Sequence, residues 1–234
     1  MSCFRFKQFA IEQTQTPMKV GTDGVLLGAW ARIESGASRI LDIGTGTGVI
    51  ALMMAQRAPE AEIWGVDIDP VEEACYNGTQ SPWSDRLHFV QQPVQEFEAA
   101  PFDLILSNPP FFVESLQCPD RGRTMARHAV ALPFEALRDA VARLLKREGR
   151  FALVLPITEA ERFESLAEGV LRVVRKSSVR TTPRHAAKRC LMEFVHADST
   201  AERQPDEELM IGTGEHETYT EEYRTLTRDF YLKF

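Results

Sequence analysis

Short apolar runs alternate with stretches of helical periodicity through the middle of the chain, the pattern of an α/β fold. Arg39–Ile43 reads as a first buried strand, followed by a glycine-rich turn and a helix from about Val49. Glu62–Val66 reads as a second strand; Pro70 is placed to open the next helix, with Asp69 as its cap. Leu87–Gln91, Phe102–Leu106 and Phe151–Leu155 read as the third, fourth and fifth strands. Between the last two, Phe134–Lys146 puts Leu137, Val141, Leu144 and Leu145 on one helical face. Two later β-rich runs, Val170–Val179 and Cys190–His196, are expected to form an antiparallel hairpin at the sheet edge. From Asp198 to Glu222 the chain is acidic and rich in turn formers, so mobility is expected there. The closing residues turn aromatic again and are expected to dock.

The length of 234 residues suits one domain, or one with a small appendage, and a hydrophobic fraction of 44% supports a real core. Cys3, Cys75, Cys118 and Cys190 are scattered and form no C-x-x-C pair, which speaks against a zinc site or a disulfide framework. The opening residues are mixed polar and aromatic, unlike a signal sequence, and no apolar run approaches the roughly 20 residues of a membrane span. A cytoplasmic protein with no metal and no membrane partner, monomeric or weakly dimeric, is the expectation. The net charge of −7 argues against a polyanionic partner, but the charge is unevenly placed. Between Pro119 and Arg189 there are 16 Lys/Arg against 8 Asp/Glu, and from Arg172 to Arg189 seven basic residues and no acidic one. Local fields govern polyanion binding better than net charge does.

The segment Asp42-Ile43-Gly44-Thr45-Gly46-Thr47-Gly48 follows the first strand and enters a helix. Alternate glycines let backbone turn sharply and approach a ligand closely. The G-x-G-x-G spacing differs from the G-x-G-x-x-G of nicotinamide cofactor sites. With Asp42 ahead of it, it resembles the D-x-G-x-G-x-G motif of class I methyltransferases. Asp67 ends the second strand about 20 residues on, where a carboxylate can accept hydrogen bonds from a nucleoside's ribose hydroxyls. Ile68 beside it is a further cofactor-binding candidate, and Gln92 after the third strand is a candidate to meet the adenine of such a ligand.

The fourth strand runs into Ser107-Asn108-Pro109-Pro110-Phe111, sixty residues past Gly48. This resembles the (D/N)-P-P-(Y/F) motif of amino-methyltransferases that act on adenine, guanine or glutamine amide. An exocyclic amino nitrogen is a poor nucleophile because its lone pair is delocalised. Two acceptors, the Asn108 side-chain oxygen and the Pro109 carbonyl, can each take one amino hydrogen and favour a pyramidal nitrogen. Prolines with fixed φ hold those acceptors rigidly, and Phe111 can stack on the base.

The likeness extends beyond both motifs. Phe4 to Phe9, the block Met18 to Trp30, Ala126-Arg127-His128, Leu191-Met192-Glu193-Phe194 and the ending Tyr223 to Phe234 are similar to the bacterial tRNA1(Val) adenine-37 N6-methyltransferases. That resemblance implies a Rossmann-like fold, with a seven-stranded, mostly parallel sheet, an antiparallel edge hairpin and helices on both faces. It also implies S-adenosylmethionine as cofactor and tRNA as partner. One domain is expected: a covering segment over 1–37, a catalytic core over 38–196 and an acidic extension over 197–234. Lys19, Thr22 and Asp23 would join Asp42, Gly44, Thr45, Gly46, Gly48, Asp67, Ile68, Gln92 and Asn108 around the cofactor. Arg121, Arg123, Arg127 and His128, with Arg180, Arg184 and Lys188, would hold RNA phosphates. Methylation of a protein glutamine, a ribosomal guanine or DNA adenine would use the same Asn-Pro-Pro acceptors. A nicotinamide-dependent oxidoreductase is opposed by the glycine spacing, and a non-catalytic RNA-binding module by the complete motifs.

Overall fold

The structure, a computed structural model, describes residues 2–110, 132–216 and 218–233. Phe111, Arg121, Arg123, Arg127 and His128 lie outside the described residues. The chain opens with an antiparallel ribbon, β1 (Cys3–Arg5) and β2 (Ala10–Glu12), then a helix, α1 (Thr22–Trp30). Helix α1 went unannounced because every residue from Gly24 to Trp30 is buried, so no polar face marks its period.

The central alternation follows as expected: β3 (Arg39–Ile43), α2 (Val49–Arg57), β4 (Glu62–Asp67), α3 (Glu72–Thr79), β5 (Leu87–Gln91) and β6 (Phe102–Ser107). After the undescribed stretch come α4 (Phe134–Leu144), β7 (Leu145–Pro156), α5 (Ile157–Ala167), β8 (Leu171–Arg180), β9 (Arg189–His196), β10 (Glu207–Met210) and α6 (Glu221–Thr227). Helix α3 begins at Glu72 rather than at Pro70, and Asp69 does not cap it. The Asp69 amide instead donates to Asp67 Oδ1 at 3.0 Å.

One eight-stranded sheet runs β10-β8-β9-β7-β6-β3-β4-β5. Strand β9 pairs antiparallel with both of its neighbours; every other adjacent pair is parallel. The β8–β9 hairpin is present, but it is not the edge. The acidic stretch expected to be mobile supplies β10, which pairs with Ser177–Arg180 and adds an eighth strand. The sequence's two charge runs explain this. Arg172 donates to the Ser199 and Ala201 carbonyls, Arg175 pairs with Glu207 at 3.4 Å, and Arg180 pairs with Glu208 at 3.3 Å. Much of the basic run is thus met by the acidic one.

The sheet separates two cores. Helices α1 and α2 pack on one face, where Leu26, Leu27, Leu52 and Met53 are fully buried. Helices α4 and α5 pack on the other, where the rings of Phe151, Phe163 and Phe194 lie 5.4–6.0 Å apart. The C-terminal residues dock as expected: Phe230 is buried, its carbonyl accepts the Lys7 amide at 2.8 Å, and Tyr231 stacks on Phe6 at 6.0 Å. Among the described residues no helix is long and apolar enough to cross a membrane.

Candidate active site

Parallel strands deliver their carboxyl ends to one edge of the sheet. Ile43, the last residue of β3, is level with Val66 on one side and Ser107 on the other. The next residues, Asp67 and Asn108, therefore straddle the glycine turn that leaves β3. Two strand spacings separate their backbones by about 10 Å. The Ser107 hydroxyl, fully buried, donates to the Ile43 carbonyl at 2.9 Å and ties the end of β6 to the turn.

The turn is held from β4: the Gly44 and Thr45 amides donate to the Val66 carbonyl at 2.8 and 3.2 Å. Gly44, Gly46 and Gly48 all have positive φ, 73°, 53° and 80°. Gly48 is constrained twice, since a Cβ there would lie 3.2 Å from Phe89 and 3.3 Å from Ala74. At Gly44 a Cβ would meet nothing within 4 Å, so the bend leaves open space on its outer side.

Two carboxylates flank this space. Asp67 Oδ2 accepts the Gly46 amide at 2.8 Å, which aligns it with the turn. Burial raises its pKa, while the Gly46 and Asp69 amides pull it down. Asp42 is fully buried; the Thr45 hydroxyl donates to Oδ2 at 2.7 Å and Oδ1 has no hydrogen-bond partner. Burial pushes its pKa up to about 7, with the neighbouring Asp67 charge adding to the rise and the Thr45 hydroxyl opposing it. A buried carboxylate with an orphaned oxygen, a second carboxylate at the end of β4 and an open glycine bend fit a nucleoside ligand that carries positive charge.

The segment from Lys19 into α1 passes beside Asn108. Gly24 stands beside Asn108: a Cβ there would be 3.7 Å from Asn108 Nδ2. Lys19 turns back on its own loop, donating to the Gln13 and Thr16 carbonyls at 2.5 and 2.9 Å. Thr22 is exposed at the start of α1, and Asp23 pairs with Arg189 at 2.7 Å. Ile68 is 51% exposed beside Asp67. The Gln92 amide donates to the Asp67 carbonyl at 2.8 Å while its side chain donates to the Glu96 carbonyl. Pro109 is buried, Asn108 half-buried and Pro110 exposed.

Of the three described RNA candidates, Arg180 is committed internally. Its guanidinium donates to the Pro183 and His185 carbonyls at 2.8 and 2.9 Å and to Glu208, so it shapes the β8–β9 loop. Arg184 and Lys188 are exposed on that loop, at the same sheet edge as Asn108.

Residues that the sequence did not single out sit on α3. Glu73 and Asn77, one turn apart, hold the N-terminal segment and the glycine turn together. Their signal was available: two polar residues at i and i+4 beside buried Ala74 and Gly78. Their partners, far away in sequence, were not.

The methyltransferase small domain family matches residues 24–155. The tRNA1(Val) (adenine(37)-N6)-methyltransferase of Bacteroides thetaiotaomicron is 47% identical over 234 residues, covering 98% of this chain and 97% of that protein. Its counterpart from Flavobacterium psychrophilum is 43% identical over 236 residues, with coverage of 98% and 99%. Among solved structures, a predicted O-methyltransferase from Agrobacterium tumefaciens superimposes with a TM-score of 0.68 at 17% identity, covering 89% of this chain and 96% of that one. A glycopeptide N-methyltransferase complexed with S-adenosylmethionine gives 0.54 at 13% identity, covering 79% and 100%. At such identities the two structures speak for the fold alone. The sequence likeness runs nearly end to end in both partners, and on that ground this chain belongs to the tRNA1(Val) (adenine(37)-N6)-methyltransferase family.

Proposed function

We propose that the protein transfers the methyl group of S-adenosylmethionine to N6 of an adenosine in tRNA, adenosine 37 beside the anticodon of tRNA1(Val). The observation that carries the reading is the placement of Asp67 and Asn108 on either side of one glycine turn. A ligand bound to the first presents its far end to the second.

S-adenosylmethionine, when bound, supplies an electrophilic methyl group on a positively charged sulfur. Asp67, fixed by the Gly46 and Asp69 amides, keeps lone pairs for two ribose hydroxyls. Gly44, Thr45, Gly46 and Gly48 shape the space between the carboxylates, and exposed Ile68 offers an apolar face for the adenine. Asp42 supplies negative potential below the turn. Thr22, Asp23 and Lys19 shape the rim, Lys19 through the loop it closes, and Gln92 fixes the backbone beyond Asp67.

Asn108 Oδ1 and the Pro109 carbonyl each accept one hydrogen of the target amino group and turn its lone pair outward. With the donor held by Asp67 and the glycine turn, that lone pair would take the methyl group as the neutral thioether leaves, and the extra proton would pass from the nitrogen to water. No general base is needed before attack, so the work of the protein is positioning and preorganised dipoles. Pro110 and Phe111 would hold the base. Arg184 and Lys188, with Arg121, Arg123, Arg127 and His128, would take phosphates, and Arg180 would support their loop.

Incubation with bulk tRNA and methyl-labelled S-adenosylmethionine, followed by nucleoside mass spectrometry, is expected to yield N6-methyladenosine. Label in guanosine, or none in tRNA while DNA or protein offered in parallel reactions takes it up, would overturn the assignment.

A further inference from the structure

We propose that Glu73 is a positioning residue for the methyl donor, clasping Thr14–Thr16 against the glycine turn so that the N-terminal segment walls the donor site. This rests on the donor reading of that site.

Glu73 is 8% exposed, yet it carries no ion pair among the described residues. Its partners all come from one irregular loop. Oε1 accepts the Thr14 amide at 2.5 Å, the Thr14 hydroxyl at 3.1 Å and the Gln15 amide at 3.0 Å. Oε2 accepts the Thr16 amide at 2.9 Å and the Thr16 hydroxyl at 2.5 Å. Burial would raise its pKa, but the Thr16 hydroxyl and the three amides outweigh it and hold the group at about 2. A carboxylate so occupied is a fixed anion and no proton carrier.

The loop it gathers lies at the donor site. The Thr16 methyl is 3.6 Å from the point where Gly46 would carry a Cβ. One turn along α3, Asn77 accepts the Glu12 amide at 2.8 Å and donates to the Glu12 and Thr47 carbonyls, both at 2.9 Å. Helix α3 thus grips the ribbon, the loop and the glycine turn from one face. The loop's other end is closed by Gln13, whose Oε1 accepts the Val20 amide at 2.7 Å, and by Lys19 on the Gln13 and Thr16 carbonyls. From there the chain enters α1 and brings Gly24 to Asn108. The segment between Glu12 and Gly24 therefore forms a continuous wall from the Gly46 side to the Asn108 side, and Glu73 is its main anchor.

In Glu73→Gln the amide keeps one acceptor and turns a donor toward the Thr16 amide or the Thr14 and Gln15 amides. The wall loses part of its anchor while helix, volume and fold stay as they are. Calorimetric titration with S-adenosylhomocysteine is expected to show the variant binding about tenfold or more weakly. The KM for donor should rise by a similar factor, kcat at saturating donor should change less than threefold, and the affinity for tRNA alone should be unaltered. Thr16→Val, which deletes one hydroxyl, should weaken donor binding in the same direction by a few-fold, and Glu72→Gln on the exposed side of α3 should do nothing. If Glu73→Gln does not fold, Thr16→Val decides. Wild-type protein that ignores S-adenosylhomocysteine would sink the donor reading itself. Wild-type binding matched by both Glu73→Gln and Thr16→Val, or an equal loss of tRNA and donor affinity, would overturn the clasp alone.

Discussion

Replacing Asp42 by Asn isolates what a buried carboxylate costs this fold. The pKa is raised from 3.8 to about 7, and burial is the main cause. Below pH 3.8 the folded and unfolded chains both hold the proton, so the group makes no difference to stability. As pH rises the unfolded chain ionises first, and the folded state loses about 1.4 kcal/mol per pH unit until it too ionises near pH 7. The total penalty is roughly 4 kcal/mol, fully present at pH 8. Asn keeps the shape, its carbonyl can accept the Thr45 hydroxyl, and it carries no charge; its unpartnered amide costs about 1–3 kcal/mol at every pH. Urea unfolding of both proteins without cofactor, at pH 4.5, 6 and 8, reads the difference. The variant should gain roughly 3 kcal/mol on wild type between pH 4.5 and 8. Donor affinity should behave oppositely: a cationic ligand binds the wild type more tightly as pH rises through 7, and the variant indifferently. Parallel stability curves for the two proteins would refute the reasoning, because they would mean that Asp42 ionises in the fold as easily as outside it.

Asn108→Ala should lower kcat about a hundred- to a thousandfold with donor affinity kept; a rate within tenfold of wild type would remove Asn108 from the chemistry. Gly65→Ala would place a Cβ 2.6 Å from both Phe89 and the Thr45 hydroxyl oxygen. Overpacking of that kind costs about 1–3 kcal/mol, so calorimetry should show Tm falling by about 3–10 °C, and an unchanged Tm would show that Phe89 gives way freely. Changing Arg184 and Lys188 together to Gln should weaken tRNA binding and reduce the slope of log affinity against log salt by about 2; an unaltered slope would place the RNA elsewhere.

The sequence by itself determined the parallel centre of the sheet and which residues stand where its strands end. Strands β3 and β6 fall within a residue of where their apolar runs put them, because a strand buried on both faces advertises itself as a short, largely apolar stretch. The glycine turn, Asp67 and Asn108 were legible for a related reason: each lies at or just past the end of a strand, and parallel strands carry their ends to one edge. Helix α1 was illegible because it is apolar all round. Strand β10 was illegible because its charges look like those of a solvated tail until Arg175 and Arg180 of β8 face them. Arg180 shows the same limit from the other side: as a string of letters it is one more cation for RNA, and only the folded loop puts the Pro183 and His185 carbonyls within its reach. Glu73 is the plainest case. The period of α3 marks it as a polar residue on an inward face, but its five donors lie more than fifty residues away in a loop with no repeat of its own. Local pattern records which face a side chain takes; what it meets there is decided by packing between segments that the pattern treats as independent.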